Sequence, residues 1–214
     1  MNDTWPILSN SYKRYNLGCG LKIYENFMNV GFWSQLKSEV LYKDLNGTVN
    51  TVMFNHDLRN GVPATDNSLE LIYHSHMLEH LSYVDGIEFL KECFRTLKPG
   101  GKMRVLVPDL ELWINAYYQN NKFFFEQYRK YGGIDPSIHR TNGSVFMGML
   151  HNHEHKCGYD YESLEWMLSH VGFSDINKTL YGDSAIEDIA IIEPLDPIKI
   201  MESLCVECIK PSNK

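Results

Sequence analysis

Short apolar runs alternate with helix-patterned segments along this chain, and that alternation limits its fold more than any single motif. The runs Lys13–Leu17, Phe27–Phe32, Thr48–Asn55, Leu69–His74, Met103–Val107, Phe173–Tyr181 and Ser203–Ile209 read as strands. Leu69–His74 is almost wholly apolar, as a strand covered on both faces must be. Tyr83–Leu97 carries apolar residues at 84, 87, 90, 94 and 97, a helical stripe that stops at Lys98-Pro99-Gly100-Gly101. Leu110–Tyr131 is long, aromatic and expected to be helical, and Tyr161–Val171 is a compact helix closed by Gly172. Residues 34–47 are expected to hold a short helix and a loop ending near Asn46-Gly47, and residues 182–200 a loop. The pattern predicts an α/β fold, a mostly parallel sheet with helices on both faces.

In such a sheet, ligands bind beyond the carboxyl ends of the strands. Those ends carry Asn16 to Gly20, His56-Asp57-Leu58, His74-Ser75-His76 and Pro108-Asp109, so polar groups gather at one edge of a sheet whose strand bodies are apolar. The first of them ends in Gly18-Cys19-Gly20, where glycines let backbone approach a ligand closely. This GxG turn does not complete the dinucleotide fingerprint. Only Leu21 to Asn26 separate it from the second strand, whereas a parallel crossover normally takes a dozen residues or more. Either the first helix is reduced to a turn or two, or the second run is not a parallel neighbour.

The 214 residues, 43% hydrophobic with a formal charge of −7, suit one domain over residues 1–214, and no basic run points to nucleic acid. Residues 1–12 read as a lead-in anchored by Trp5. No apolar run reaches membrane-spanning length and no signal-like start is present, so a cytoplasmic protein is expected. Five scattered cysteines argue against a disulfide framework, and Cys205 and Cys208 alternate within a strand pattern rather than forming a redox or zinc pair.

The residues at the sheet edge resemble those of class I S-adenosylmethionine-dependent methyltransferases, of the type-11 methyltransferase-domain group. The matching segments are Asn16-Leu17-Gly18-Cys19-Gly20, His56-Asp57-Leu58, Pro63 to Ile72, His76-Met77-Leu78-Glu79-His80-Leu81 and Leu97 to Lys102. They keep the family's order over residues 14–109, and Tyr159 to Leu164 with Val171-Gly172-Phe173 extends the likeness. The resemblance implies a Rossmann-like, doubly wound, mostly parallel seven-stranded sheet with an antiparallel final strand. It also implies an acceptor-side insert at roughly residues 110–160 and S-adenosylmethionine as cofactor. On that reading Gly18, Cys19 and Gly20 present backbone to the methionine moiety, and Asn16 stands where the family often has an acid. Asp57 accepts from the adenine amino group, Leu58 covers the ring, and Ser75 and His76 lie near the ammonium and the methyl. One departure stands out: Gly31 occupies the place of the acid that grips the ribose, leaving Asn29 or Glu25 as substitutes.

Methyl transfer depends mainly on proximity and orientation, and a hydroxyl acceptor also benefits from a base. Nine histidines are present, and His76 is the expected base, with His80 packing under the site and His155 facing the acceptor pocket. The run His151-Asn152-His153-Glu154-His155 suggests a metal, but it lacks a further ligand at diagnostic spacing, and none is expected. The aromatic stretch from Trp113 to Tyr131 is expected to pack on the sheet, with a share in an acceptor wall. The acceptor expected from the resemblance is a hydroxyl of a sugar or glycan precursor in polysaccharide biosynthesis, and a homodimer is compatible with it. The alternatives are a nitrogen or carboxylate acceptor, or a non-catalytic binding protein that keeps the fold.

Overall fold

The computed structural model describes residues 10–35, 39–42 and 51–212. The expectations for Trp5 and for the Asn46-Gly47 loop lie outside these residues. Strands β1 (Arg14–Leu17), β2 (Met28–Gly31), β3 (Glu39–Tyr42), β4 (Thr51–Asn55), β5 (Leu69–Ser75), β6 (Leu97–Pro108), β7 (Ser174–Thr179) and β8 (Ser203–Ile209) form one sheet. Their order is β3-β4-β2-β1-β5-β6-β8-β7. Strands β4, β2, β1, β5 and β6 run parallel, β3 pairs antiparallel with β4, and β8 runs antiparallel to both β6 and β7. All seven expected strands are present, with the final one antiparallel. The eighth, β3, lies within residues 34–47, where a short helix and a loop were expected; its sequence Glu-Val-Leu-Tyr suits a pleated edge.

The helices are α1 (Tyr83–Thr96), α2 (Leu110–Tyr118), α3 (Lys122–Tyr131), α4 (Asn142–His151), α5 (Tyr161–Val171), α6 (Ile189–Ile192) and α7 (Pro197–Glu202). Ser82 caps α1 by accepting from the Asp85 amide at 3.2 Å. Of the expected stripe Leu90 and Leu97 are buried and Ile87 and Phe94 half-buried, while Val84 is exposed and Phe89 and Cys93 complete the buried face. Gly172, with φ of 116°, ends α5 where the sequence predicts. The expected single helix Leu110–Tyr131 is broken at Gln119-Asn120-Asn121. Asn120 turns left-handed (φ 50°), and the Asn121 side chain accepts from the Phe124 amide at 3.1 Å, starting α3. The irregular stretch 134–157 contains α4, and the loop expected at 182–200 contains α6 and α7.

Helices α1 and α5 cover one face of the sheet, where Leu17, Val30, Ile72, Leu90 and Leu168 share a core. Tyr24, Phe27, Tyr73, Leu106, Ile186 and Ile192 make a smaller core on the other. A third cluster gathers α2, α3 and α4 around the fully buried Trp113, whose ring meets Phe124 and Tyr128 edge-on at 4.7 and 4.5 Å. Among the described residues, no helix is long and apolar enough to cross a membrane.

The crossover from β1 to β2 contains turns only, yet the strands are parallel neighbours. Two buried amides make this short path feasible. Asn29 accepts from the Tyr24 amide at 2.9 Å and donates to the Tyr24 and Phe27 carbonyls at 2.9 and 3.2 Å. Asn16 donates to the Lys22 carbonyl at 2.8 Å and to Asn29 Oδ1 at 3.0 Å. Side chains thus satisfy the loop backbone that a helix would otherwise satisfy internally.

Candidate functional site

Chain order reverses between β1 and β5, the switch point at which open α/β sheets form a crevice. A cleft of about 500 Å³ opens there. Its walls come from the ends of four strands: Gly18 and Gly20 after β1, Gly31 to Trp33 at β2, His56 to Arg59 after β4, and His76, Met77, His80 and Leu81 after β5. Glu154 and Lys156 close it from the irregular segment.

The two glycines have different reasons to be there. Gly18 has φ of 69°, and a Cβ on it would lie 2.1 Å from Met77 Cγ. Gly20 has φ of 51°, but its Cβ would meet nothing within 4 Å and would project into open space. Cys19 between them is buried, its amide donating to the Val30 carbonyl at 2.9 Å; burial pushes its thiol up to about 12. Of the residues expected to bind cofactor, Gly18, Gly20, Asp57, Leu58 and His76 line the cleft. Asn16, Cys19 and Ser75 are not among its lining residues, and the Asn16 amide is committed to the crossover.

Gly31 is covered by an aromatic ring. A Cβ there would lie 2.5 Å from Trp33 Cη2 and Cζ3 and 3.1 Å from Cys19 Sγ, so the indole occupies the space an acidic side chain would need. Asn55 holds Trp33 in place, accepting from its amide at 2.7 Å and donating to its carbonyl at 2.9 Å. Neither suggested substitute for the acid lines the cleft: Asn29 is buried in the crossover and Glu25 is exposed outside it. Sequence reading missed Trp33, although an aromatic pair directly after a strand end was its signal.

Asp57 caps a short turn over Leu58–Asn60 and receives Arg59 in a forked pair, with Nε to Oδ1 at 2.9 Å and Nη2 to Oδ2 at 2.6 Å. The Arg59 hydrogen bond holds the Asp57 carboxyl below its ordinary range. Arg59 is itself exposed enough to swing aside, leaving Asp57 lone pairs for another donor.

Beyond the glycine turn the wall becomes imidazole. His76 follows β5 in a left-handed conformation (φ 51°), uncommon for a residue with a side chain. Its Nε2 lies 2.9 Å from Ser203 Oγ, and its Nδ1 lies 3.4 Å from Glu79 Oε1. Burial, with the Lys199 charge beside it, pushes His76 down to about 3, so the imidazole is neutral near pH 7 and a weak base. Glu79 is fully buried, and burial pushes its carboxyl up. His80 and His155 meet edge-on at 4.7 Å, and His80 lies in the cleft wall rather than under the site as expected. His155 is not among the lining residues and lies behind His80.

A family model described as a methyltransferase domain matches residues 17–178. The demethylmenaquinone methyltransferase of Listeria monocytogenes serotype 4a (strain HCC23) is 27% identical over 164 residues, covering 72% of this chain and 62% of that protein. The chain therefore spans less than two thirds of the length of this relative. Among solved structures, a SAM-dependent methyltransferase from Archaeoglobus fulgidus superposes with a TM-score of 0.50 at 16% identity, over 95% of this chain and 88% of its own. Phosphoethanolamine N-methyltransferase 2 of Haemonchus contortus, solved with S-adenosyl-L-methionine, gives 0.52 at 11% identity, over 94% of this chain and 49% of its own. At these identities the structures speak for the fold. The sequence match runs from the glycine turn into β7, and with it the chain belongs to the methyltransferase domain family.

Proposed function

We propose that this protein transfers the methyl group of S-adenosylmethionine to a hydroxyl of a small polar acceptor of the sugar or glycan-precursor class, in the cytoplasm. The observation that carries the reading is the open space over Gly20, in a cleft bounded by Asp57 and Leu58 on one side and His76 on the other. Gly18 and Gly20 would pass the methionine moiety without a side-chain clash. Asp57 would accept from the adenine amino group once Arg59 moves aside, with Leu58 against the ring. The Trp33 ring would give the ribose an apolar platform in place of a carboxylate grip. The cofactor supplies a methyl carbon activated by its bond to a sulfonium. The imidazole wall at His76 and His80 would face the acceptor, and His76 would orient the hydroxyl by hydrogen bonding.

Titration calorimetry with S-adenosylmethionine and S-adenosylhomocysteine tests the cofactor half. Saturable binding of both is expected, and binding of neither would leave a non-catalytic binding protein as the better reading, an alternative motivated by Gly31. The acceptor half is tested with hydroxyl, amine and carboxylate panels and labelled methyl donor. Transfer only to amines or carboxylates would overturn the hydroxyl reading. His76→Asn is expected to keep more activity than His76→Ala, with the loss mainly in acceptor KM.

A further inference from the structure

Glu79 is an anomaly for a folded protein. Its side chain is about 1% exposed, and neither carboxylate oxygen has a hydrogen-bond partner. Burying such a carboxylate without compensation costs several kcal/mol, so a group in this state is expected to meet a cation or to stay protonated. The nitrogen atoms nearest to it in the cluster are imidazole nitrogens: His76 Nδ1 at 3.4 Å and His155 Nε2 at 3.9 Å. One ligand atom each from Glu79, His80 and His155 lies within 4.8 Å of the other two.

Two details separate this cluster from chance proximity. The first concerns the imidazoles. His155 Nδ1 lies 2.6 Å from the Met149 carbonyl, which accepts a hydrogen bond from Nδ1–H and leaves Nε2 as a bare lone pair on the Glu79 side. His80 has a hydrogen-bond contact with the His153 backbone. A carbonyl on the far nitrogen, as His155 has, is the usual support of a metal-ligating histidine, fixing tautomer and orientation. The second concerns the backbone. The amides of Lys156 and Cys157 both donate to the Glu79 carbonyl, at 2.7 and 3.2 Å. That clamp ties the His155 segment to the turn carrying Glu79 and His80. The segment reaches it through two consecutive left-handed residues, His153 (φ 58°) and Glu154 (φ 64°), a conformation that costs energy for residues with side chains.

We propose that Glu79, His80 and His155 form a binding site for a divalent transition-metal ion, of which zinc is the best match to one carboxylate and two imidazoles. Four-coordinate zinc with bonds of about 2.0–2.1 Å places its ligands about 3.4 Å apart. The triad therefore closes on an ion by side-chain shifts of about an ångström. Three protein ligands leave a fourth position for water or substrate, the pattern of catalytic rather than structural sites. His80 lines the cleft, and the ion would border its acceptor end. The ion's role in transfer, unlike the site itself, rests on the hydroxyl reading given above. There, an acceptor hydroxyl on the open position loses its proton to water at lower pH than when free. The oxygen lone pair then forms the C–O bond to the methyl carbon, and the C–S pair leaves with sulfur.

The test uses the full chain, stripped with a chelator and titrated with zinc alone, with bound metal counted by atomic emission. One equivalent is expected in the wild type, with affinity lowered at least tenfold in both Glu79→Gln and His155→Ala. His170→Ala, on a ring stacked against Trp166 in α5, should bind as the wild type does. No stoichiometric zinc in the wild type, or wild-type affinity in His155→Ala, would overturn the site. Should Glu79→Gln fail to fold, cobalt(II) in the wild type decides: visible ligand-field bands that His155→Ala lacks support the site, and featureless spectra sink it. S-adenosylmethionine binding is measured on the same stripped protein, so a failed cofactor reading and a failed metal site give separate results.

Discussion

Glycine at 18 and at 20 answers different demands, and substitution should separate them. At Gly18 both the backbone and Met77 oppose a side chain, so Gly18→Ala should lower stability by about 2 kcal/mol or more, read from urea midpoints. At Gly20 only the left-handed backbone does, and the new side chain would enter the cleft. Gly20→Val should keep the thermal transition within a few degrees and weaken S-adenosylmethionine binding at least tenfold; equal losses in both variants would contradict the distinction. His74 makes a second case. It is fully buried, packs edge-on against Phe89 at 5.3 Å, and neither ring nitrogen has a partner. Burial pushes it down to about 3. The unfolded chain binds a proton there below about pH 6.5 while the folded chain does not. This group's contribution is therefore complete above about pH 6.5 and declines towards pH 3, by up to about 1.4 kcal/mol per pH unit. His74→Leu should flatten that part of the acid profile at little cost near pH 7, because it removes two unpartnered polar atoms.

Among the elements, the segment from β7 to β8 depends on one buried charge. Arg104 of β6 is completely buried and forks onto Glu193 beyond α6, with Nη2 to Oε2 at 2.7 Å. It also reaches Thr179 Oγ1 and Glu207 Oε1 at 2.8 Å each and the Leu180 carbonyl at 3.0 Å. Removing one partner of such a pair strands the other, so Glu193→Ala should cost about 3–5 kcal/mol. The double variant Arg104→Met/Glu193→Leu should recover much of that loss in denaturant titrations. No sequence pattern foretold the pairing, because its partners are far apart in the chain and alternation marks Arg104 only as a polar residue in an apolar strand. Elements with local causes were legible: the α1 stripe, the Gly172 stop and the strand patterns all rest on neighbours a few residues away. Residues 119–121 were not, because the aromatic periodicity runs on through Asn120 and Asn121, whose left-handed turn and cap decide the break.

At the scale of the whole molecule, the sheet edge was legible because strand ends in a parallel sheet must converge. Gly18, Gly20, Asp57, Leu58 and His76 reach the cleft for that reason. Placement within the edge was not, since the sequence cannot say that Asn16 turns to the crossover or that Trp33 folds over Gly31. Nor does residue spacing bring His155 beside Glu79 and His80; a backbone clamp between distant segments does. A ligand that fills the cleft in the folded state alone should raise the melting temperature. At 100 times its Kd, S-adenosylhomocysteine should add about 2.7 kcal/mol. For a chain of this size that corresponds to a rise of roughly 5–10 °C by differential scanning fluorimetry. NAD, tested in parallel, should leave the transition unmoved.

That contrast follows from the turn-only path between β1 and β2. In dinucleotide-binding relatives of this sheet architecture, the first crossover delivers a helix whose amino end, with its free N–H groups and partial positive charge, neutralises a pyrophosphate. Here Asn16 and Asn29 hold a bare loop instead, so this crossover brings no helix amino end to the crevice. A sulfonium cation would be spared that repulsion, while a pyrophosphate would meet only two cationic side chains at the cleft wall, Lys156 and the already paired Arg59. Shortening one connection would thus act electrostatically, removing one anchor for a phosphorylated ligand at no cost to a cationic nucleoside.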